Sequence, residues 1–203
     1  MTSRKIDLFK IHRAEYVAPK EPVIIETERA LFLAIDGMGE PGGDEFTKRV
    51  GALYAVAYSI KMAKKSAGKD YLVSKLEALW WGVRGPGDFS QEPMSDWNWK
   101  LMIRVPEFVS EQDLKDAILA CQEKGKALEV AKVRLETFHE GLSAQVLHVG
   151  PYSKVGDTMA RMSEFVKQKG FSFHGLHHEI YLSDPRRVSP DRLKTILRMP
   201  VVE

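Results

Sequence analysis

The chain has 203 residues, of which 44% are hydrophobic and 29% charged, and its formal net charge is +2. These values are ordinary for a globular protein and exclude a largely disordered chain. The small net charge also excludes a strong positive field over the whole molecule, so nucleic acid is not an expected partner. Because Cys121 is the single cysteine, an internal disulfide and a multi-cysteine zinc site are excluded as well.

The amino-terminal residues contain no apolar stretch of signal-peptide length, and no apolar run approaches the ~18 residues that suggest a membrane span. The sequence therefore predicts a cytoplasmic protein without a membrane partner. Residues 1–21 carry mixed charges, lack periodicity and end in Ala-Pro-Lys-Glu-Pro. We expect them to form an N-terminal arm on the surface, too short for a DNA-binding helix-turn-helix domain.

A pattern of strands and a helix follows the arm and occurs first in residues 22–108. Apolar residues at helical spacing run from Phe46 to Ile60 and predict a helix. Short β-prone segments predict four strands, two before this helix and two after it. They are Val23–Glu26, Leu31–Ile35, Val73–Trp81 and Trp97–Val105.

The same order is predicted in residues 126–203, where the helical pattern runs from Val155 to Val166. Its four strands are Val130–Phe138, Leu142–Val149, Leu176–Leu182 and Leu193–Val201. In each copy a short polar group separates the first two strands, Thr27-Glu28-Arg29 in the first and His139-Glu140-Gly141 in the second, which is typical of an antiparallel hairpin.

A helix predicted at residues 110–125 joins the two copies. Ser110 and Asp113 have capping-box spacing at its start, and its apolar stripe places Cys121 on the buried side. The repeated order predicts an α+β fold with antiparallel sheets, helices packed on one side, and a ligand groove between the two copies.

Candidate site residues lie in the strand that contains Glu179. Because side chains alternate along a strand, His177 and Tyr181 share its face. A carboxylate beside tyrosine in a strand is unusual, since glutamate is costly to bury unpaired. Glu77 aligns with Glu179 in the first copy, and the two carboxylates are candidates to converge on one groove. The alternative is that both face solvent on a half-exposed sheet.

Aromatic side chains elsewhere in the chain are candidates to line the same groove. An aromatic-lined site with one acid suits a flat or cationic apolar molecule, although ordinary core packing is the alternative. We expect neither a metal nor a cofactor, because the histidines lack a convincing ligand spacing. The candidate ligand-binding rings are Tyr54, Tyr58, Trp81, Trp97, Trp99, Tyr152 and Tyr181.

The segment HHEIYLSDPRRVSPDRLKTILRMPV, with LHVGPY before it, resembles the carboxy-terminal part of GyrI-like small-molecule-binding proteins. These proteins are related to the effector domains of BmrR-type multidrug regulators. The resemblance implies a duplicated strand–helix–strand–strand module of the SHS2 type over residues 22–203. It also implies a drug pocket in which the family's glutamate corresponds to Glu179 and its tyrosine after the Gly-Pro turn corresponds to Tyr152.

The segments FTKRVGALYAVAYSIKM and KLEALWWG resemble a branch of this family that stands alone, without a DNA-binding domain. Some members of that branch are hydrolases that open the strained cyclopropane of DNA-alkylating natural products. The resemblance implies metal-independent detoxification, in which Glu179 activates water and Tyr152 or Tyr181 hydrogen-bonds to the developing oxyanion. Non-catalytic binding or sensing of drugs stays open as the alternative. Gyrase or another protein is a less expected partner, because gyrase-inhibiting members are shorter.

Overall fold

The computed structural model describes residues 5–85, 87, 89–125 and 128–203. Within these residues nine strands form one antiparallel sheet. The strands are β1 (Val23–Glu26), β2 (Ala30–Met38), β3 (Leu76–Trp81), β4 (Asn98–Val105), β5 (Arg134–Phe138), β6 (Leu142–Val149), β7 (Ser172–Phe173), β8 (His177–Tyr181) and β9 (Lys194–Val202). The helices are α1 (Leu8–Ile11), α2 (Arg13–Tyr16), α3 (Asp44–Ser66), α4 (Glu111–Glu123) and α5 (Val155–Gln168).

The sheet confirms the predicted fold class. We call the part of the chain with β1–β4 and α3 the first half and the part with β5–β9 and α5 the second half. Helices α3 and α5 pack on the same face of the sheet. Its strand order is β1-β6-β9-β8-β3-β4-β2-β5, and β7 pairs with β9. Directly opposed residues on neighbouring antiparallel strands share a face, so the register connects Ala78 on β3 with Glu179 on β8, and Glu179 with Leu197 on β9. Ala78 packs in the core under α3 and Leu197 in the core under α5. We call this face the front face and the opposite one the back face.

The pairing of the first strands differs from the prediction, and the two expected hairpins are wrong. Strand β1 pairs with β6 and strand β5 pairs with β2, so each half gives its first strand to the other half. The short connections between these strands meet, because Thr27 donates its backbone N–H to the Gly141 carbonyl and accepts the Gly141 N–H on its hydroxyl. Alternating hydrophobicity identifies a strand but does not specify its partner.

The N-terminal arm covers the back face instead of lying on the surface. Its two one-turn helices bury Leu8, Glu15 and Tyr16. Tyr16 and Ala18 pack against Ile180 and Ile196 in a separate core on this face. The arm therefore completes the packing of the sheet on the side that α3 and α5 leave uncovered.

The helix between the halves agrees with its predicted start. Ser110 caps α4, and Ser110 and Asp113 form the reciprocal hydrogen bonds of a capping box. Cys121 is buried in the core under α3. The predicted start of the second copy, at residue 126, lies outside the described residues. Residues 130–133, predicted as the beginning of a strand, are not in β5, and Val130 and Val133 instead pack into the α3 core.

Candidate functional site

A carboxylate lies at the centre of the front face, where the α3-covered and α5-covered parts of the sheet meet. Strand β8 directs His177, Glu179 and Tyr181 to this face, as alternation predicts. His177 Nε2 lies 3.0 Å from Glu179 Oε1, and the two side chains are 11% and 12% exposed. Glu179 is thus largely buried, but part of it remains open to solvent.

Two tyrosines flank this carboxylate. Trp80 donates its indole N–H to the Tyr181 hydroxyl oxygen at 3.2 Å, and the Tyr152 ring meets the Tyr181 ring edge-on at 5.9 Å between centroids. Burial and the nearby Glu179 charge raise the pKa of Tyr181 well above its ordinary value and raise the pKa of Tyr152 as well. Both phenols therefore keep their protons near neutral pH and can donate hydrogen bonds.

A continuous row of aromatic rings leads to His177. Phe46 stacks on Trp80 at 5.8 Å, and Trp80 meets Trp97 edge-on at 6.0 Å. Phe89 then lies 5.0 Å from Trp97 and 6.2 Å from the His177 ring. Trp97 was predicted, whereas Phe46, Trp80 and Phe89 were missed. Of these, Trp80 had a sequence signal, because one of two adjacent strand tryptophans must face the front.

The predicted convergence of Glu77 with Glu179 is wrong. Glu77 pairs with Ile180, whereas Ala78 is the residue opposite Glu179. A register difference of one residue moves a side chain to the other face of a sheet. Glu77 is consequently 1% exposed on the back face, where it accepts a hydrogen bond from Tyr16. Trp81 points to the same back face and packs there near Leu79, so its predicted place beside Glu179 is also wrong.

Trp99 faces the front, but it is a core residue. It is 0% exposed, and its indole N–H donates to the Gly39 carbonyl at 3.2 Å. Its ring also lies directly over Gly37, where a Cβ atom would come within 2.0 Å of the indole. The predicted contact of Trp99 with a ligand is therefore not supported by its packing.

Tyr54 and Tyr58 lie one turn apart on α3 with their rings 6.2 Å apart. Burial and the neighbouring Tyr58 raise the pKa of Tyr54. Tyr58 is 55% exposed and lines a depression of about 440 Å³ between α3 and the arm, together with Phe9 and Leu72. The depression beside Tyr58 is thus lined by residues of the arm, of α3 and of the segment before β3, and not by the residues around Glu179.

A second polar cluster, which sequence reasoning missed, is buried on the back face. We call it the back-face cluster. It contains three carboxylates and three cationic side chains on the arm, the sheet and the connection between β5 and β6. They are Glu15, Glu77, Glu140, Arg104, His178 and Arg198.

His178 is at the centre of the back-face cluster and is 1% exposed. Its Nδ1 lies 2.9 Å from Glu140 Oε2 and its Nε2 lies 3.1 Å from Glu77 Oε2. A carboxylate at ion-pair distance from each ring nitrogen favours the protonated, positively charged form of the imidazole. Burial alone would lower the pKa of His178, but Glu140 and Glu77 raise it to about 9. With His178 protonated, the positive and negative charges of the cluster balance.

The arm supplies one member of the back-face cluster, Glu15, and a neighbouring hydroxyl group, that of Tyr16, which bonds to the cluster. Arg104 donates to Glu15 at 3.0 Å, and Tyr16 donates its hydroxyl proton to Glu77 at 2.9 Å. Arg198 bonds Glu140 at 2.9 Å and also donates to the backbone carbonyl of Glu15. The arm is therefore attached to the sheet by buried polar contacts in addition to its apolar packing.

One group, with two residues on the arm and one between β1 and β2, has donor atoms close enough together to hold a metal ion. His12, Glu15 and Glu28 place ligand atoms within 4.8 Å of one another. However, Glu15 is already paired with Arg104, and His12 with the exposed Glu28 at 3.1 Å. Ordinary ion pairing accounts for this group.

Comparison with protein families identifies the class of this chain. The model of the GyrI-like small molecule binding domain matches residues 20–202, so the chain belongs to that family. A comparison with curated proteins gave no match. Among the residues that the structure describes, no helix is both long and apolar enough to cross a bilayer.

Solved structures agree with this assignment. An uncharacterised conserved protein from Listeria innocua is 38% identical, with a TM-score of 0.91 over 98% of this chain and 100% of its own. A protein called a hydrolase, also from Listeria innocua, is 37% identical with a TM-score of 0.89 over the same shares. The EcmrR C-terminal domain, at 9% identity and a TM-score of 0.59 over 90% of this chain and 98% of its own, shares the fold alone.

Proposed function

We propose that this protein hydrolyses cyclopropane-bearing, DNA-alkylating aromatic toxins by adding water, with Glu179 as the general base. The observation that carries the proposal is the partly open Glu179 carboxylate, 12% exposed among His177, Tyr181 and neighbouring rings. The similarity to a Listeria innocua protein called a hydrolase, at 37% identity, supports an enzymatic role.

The proposed reaction adds one water molecule to a cyclopropane conjugated with a dienone. The water oxygen attacks a cyclopropane carbon while Glu179 accepts its proton, and the strained C–C bond breaks. The electron pair of that bond moves into the dienone and leaves negative charge on its oxygen. Tyr152, which is 40% exposed, donates a hydrogen bond to this oxygen, and the proton held by Glu179 returns to it through solvent. No electron is gained or lost, so no redox partner is required.

The rings beside Glu179 would hold the flat substrate. Trp97 and Phe89 extend from the His177 side of the carboxylate, and Tyr152 lies on the Tyr181 side. Stacking against such rings orients an aromatic substrate toward the acid, and orientation accounts for much of the rate that an enzyme provides.

The test is incubation of the protein with a spirocyclopropyl dienone, followed by mass spectrometry for the water adduct. We expect wild-type protein to form the adduct catalytically and Glu179→Gln to lose turnover by about 10²-fold or more while it keeps most of its affinity. Glu164→Gln, which removes an exposed carboxylate on α5, is the matched control and should retain full activity. Absence of the adduct with wild-type enzyme would refute this reaction.

Binding without catalysis is the second candidate, and one observation favours it. Among the described residues, Glu179 forms its ion pair with His177 and with no lysine or arginine, so its charge is available to a cationic aromatic ligand. In this case Glu179→Gln should weaken the binding of crystal violet, a cationic dye, and leave the binding of neutral Nile red unchanged. Equal effects on both dyes would contradict a counter-ion role.

A further inference from the structure

A buried histidine contacts the turn that carries Tyr152, in addition to the hydrogen bond from the Gly150 N–H to the Leu193 carbonyl. The Pro151 carbonyl belongs to the peptide group that joins Pro151 to Tyr152. It accepts the Lys154 N–H at 2.9 Å, which closes the turn, and His148 Nε2 lies 3.2 Å from it. His148 is on β6 and is 4% exposed.

The other ring nitrogen of His148 connects the turn to α5. Its Nδ1 lies 2.8 Å from the hydroxyl oxygen of Thr158, which is 5% exposed in the first turns of that helix. A carbonyl oxygen only accepts hydrogen bonds, so the proton of the neutral imidazole is on Nε2. Nδ1 then accepts the hydroxyl proton of Thr158. This assignment satisfies both nitrogens and determines the orientation of the ring.

The same face of the sheet carries this histidine and the candidate site. Thr195 on β9 is directly opposite His148 on one side and Tyr181 on the other. His148 is therefore two strands away from Tyr181, whose ring contacts Tyr152. Since Tyr152 is 40% exposed, burial alone does not determine its position, which depends on its contacts with Tyr181 and Thr195 and on the attachment of its backbone.

We propose that His148 and Thr158 are positioning residues for Tyr152. They hold the Pro151–Tyr152 peptide group where the phenol can reach the oxygen of a ligand bound at Glu179. This inference rests on the proposed use of Tyr152 as a hydrogen-bond donor. Loss of the Thr158 hydroxyl removes one of the two hydrogen bonds that orient the His148 ring, so the ring and the turn can shift. A displacement of about 1 Å at a reacting group lowers a rate by up to ~10²-fold.

A double-mutant cycle tests this proposal. Thr158→Val keeps the shape of the side chain but removes its hydroxyl, whereas Thr158→Ser keeps the hydroxyl and is the matched control. We expect Thr158→Val to lower kcat for the spirocyclopropyl dienone by about tenfold with KM within about twofold, and Thr158→Ser to resemble wild type. In a Tyr152→Phe background, Thr158→Val should cause no further loss, because there is no longer a phenol to position.

Losses that multiply in the double variant would overturn the proposal, since Thr158 would then act independently of Tyr152. Equal losses in Thr158→Val and Thr158→Ser would overturn it too, and so would unchanged turnover and affinity in Tyr152→Phe. His148→Gln provides a second variant, because its amide N–H can still reach toward the Pro151 carbonyl and should retain more activity than His148→Leu. Thermal unfolding of each variant excludes a general loss of structure.

The cycle also separates this proposal from the proposed function. If the protein does not open the cyclopropane ring, the four proteins of the cycle are compared by their Kd for Nile red. They are the wild type, Thr158→Val, Tyr152→Phe and the variant that carries both substitutions. Coupling between Thr158 and Tyr152 in that binding measurement supports the positioning role without catalysis, and independent effects overturn it.

Discussion

Raising the pH should destabilise this protein by removing the proton from His178, which leaves the back-face cluster with more negative than positive charges. The pKa of His178 is raised from 6.5 to about 9 by Glu140 and Glu77, against the opposing effect of burial. A folded-state pKa above the unfolded value means that the stabilisation is complete below pH 6.5 and is lost as the pH rises toward 9. At about 1.4 kcal/mol per pH unit, this interval corresponds to about 3 kcal/mol of unfolding free energy.

The assay is urea denaturation at a series of pH values, followed by tryptophan fluorescence. The expected result is a fall of about 3 kcal/mol in the free energy of unfolding of the wild type across this interval. Glu140→Gln removes one of the two carboxylates that bind His178. The free energy of unfolding of this variant should therefore fall less steeply over the same pH range. A wild-type free energy that stays constant from pH 6.5 to 9 would refute the assignment of His178 as a protonated, carboxylate-bound side chain.

Two pairs of substitutions test the packing around Trp99 and the attachment of the arm. Gly37→Ala would place a Cβ atom 2.0 Å from the Trp99 ring and should destabilise the protein by about 1–3 kcal/mol. Its control is Gly156→Ala in α5, where a Cβ atom meets no atom within 4 Å, and this substitution should stabilise the protein by about 0.5–1 kcal/mol. Equal urea midpoints for the two variants would contradict the tight contact at Gly37. Tyr16→Phe removes the donor to Glu77 and should cost about 1.5–3 kcal/mol, while Tyr58→Phe on the exposed side of α3 should change stability by less than about 0.5 kcal/mol. A Tyr16→Phe variant as stable as wild type would show that the arm is not attached through this hydrogen bond.

The elements of the fold could be predicted because their signals are local. The helical spacing from Phe46 onward predicts α3, and the Ser110 capping box predicts the start of α4, since both depend on residues within a few positions. The pairing of β1 with β6 could not be predicted in this way. It joins Val23 to Gln145, and nothing within either strand specifies so distant a partner.

The candidate site shows the same division between local and distant information. Alternation along β8 correctly placed His177, Glu179 and Tyr181 on one face, because they belong to one strand. Whether Glu77 shares that face depends on the register between β3 and β8, and nothing within either strand specifies that register. The choice of Trp81 over Trp80 failed for the same reason.

The back-face cluster escaped prediction because its members look like exposed polar residues in sequence. Arg104 and Arg198 are in strands that could have had one solvated face. Their burial follows from the arm, which has no long periodic pattern because its helices are each a single turn. The burial of Arg104 and Arg198 therefore becomes visible only in the three-dimensional structure, where the position of the arm is known.

The exchange of first strands between the halves makes each half incomplete by itself. A fragment that ended near α4 would retain β2 without β5, and its β1 would lack β6. Each half therefore depends on a strand of the other to complete its part of the sheet. In this topology β1 must pair with β6, and β2 with β5, although these strands are far apart in sequence. The protein should therefore fold slowly compared with one built from local hairpins.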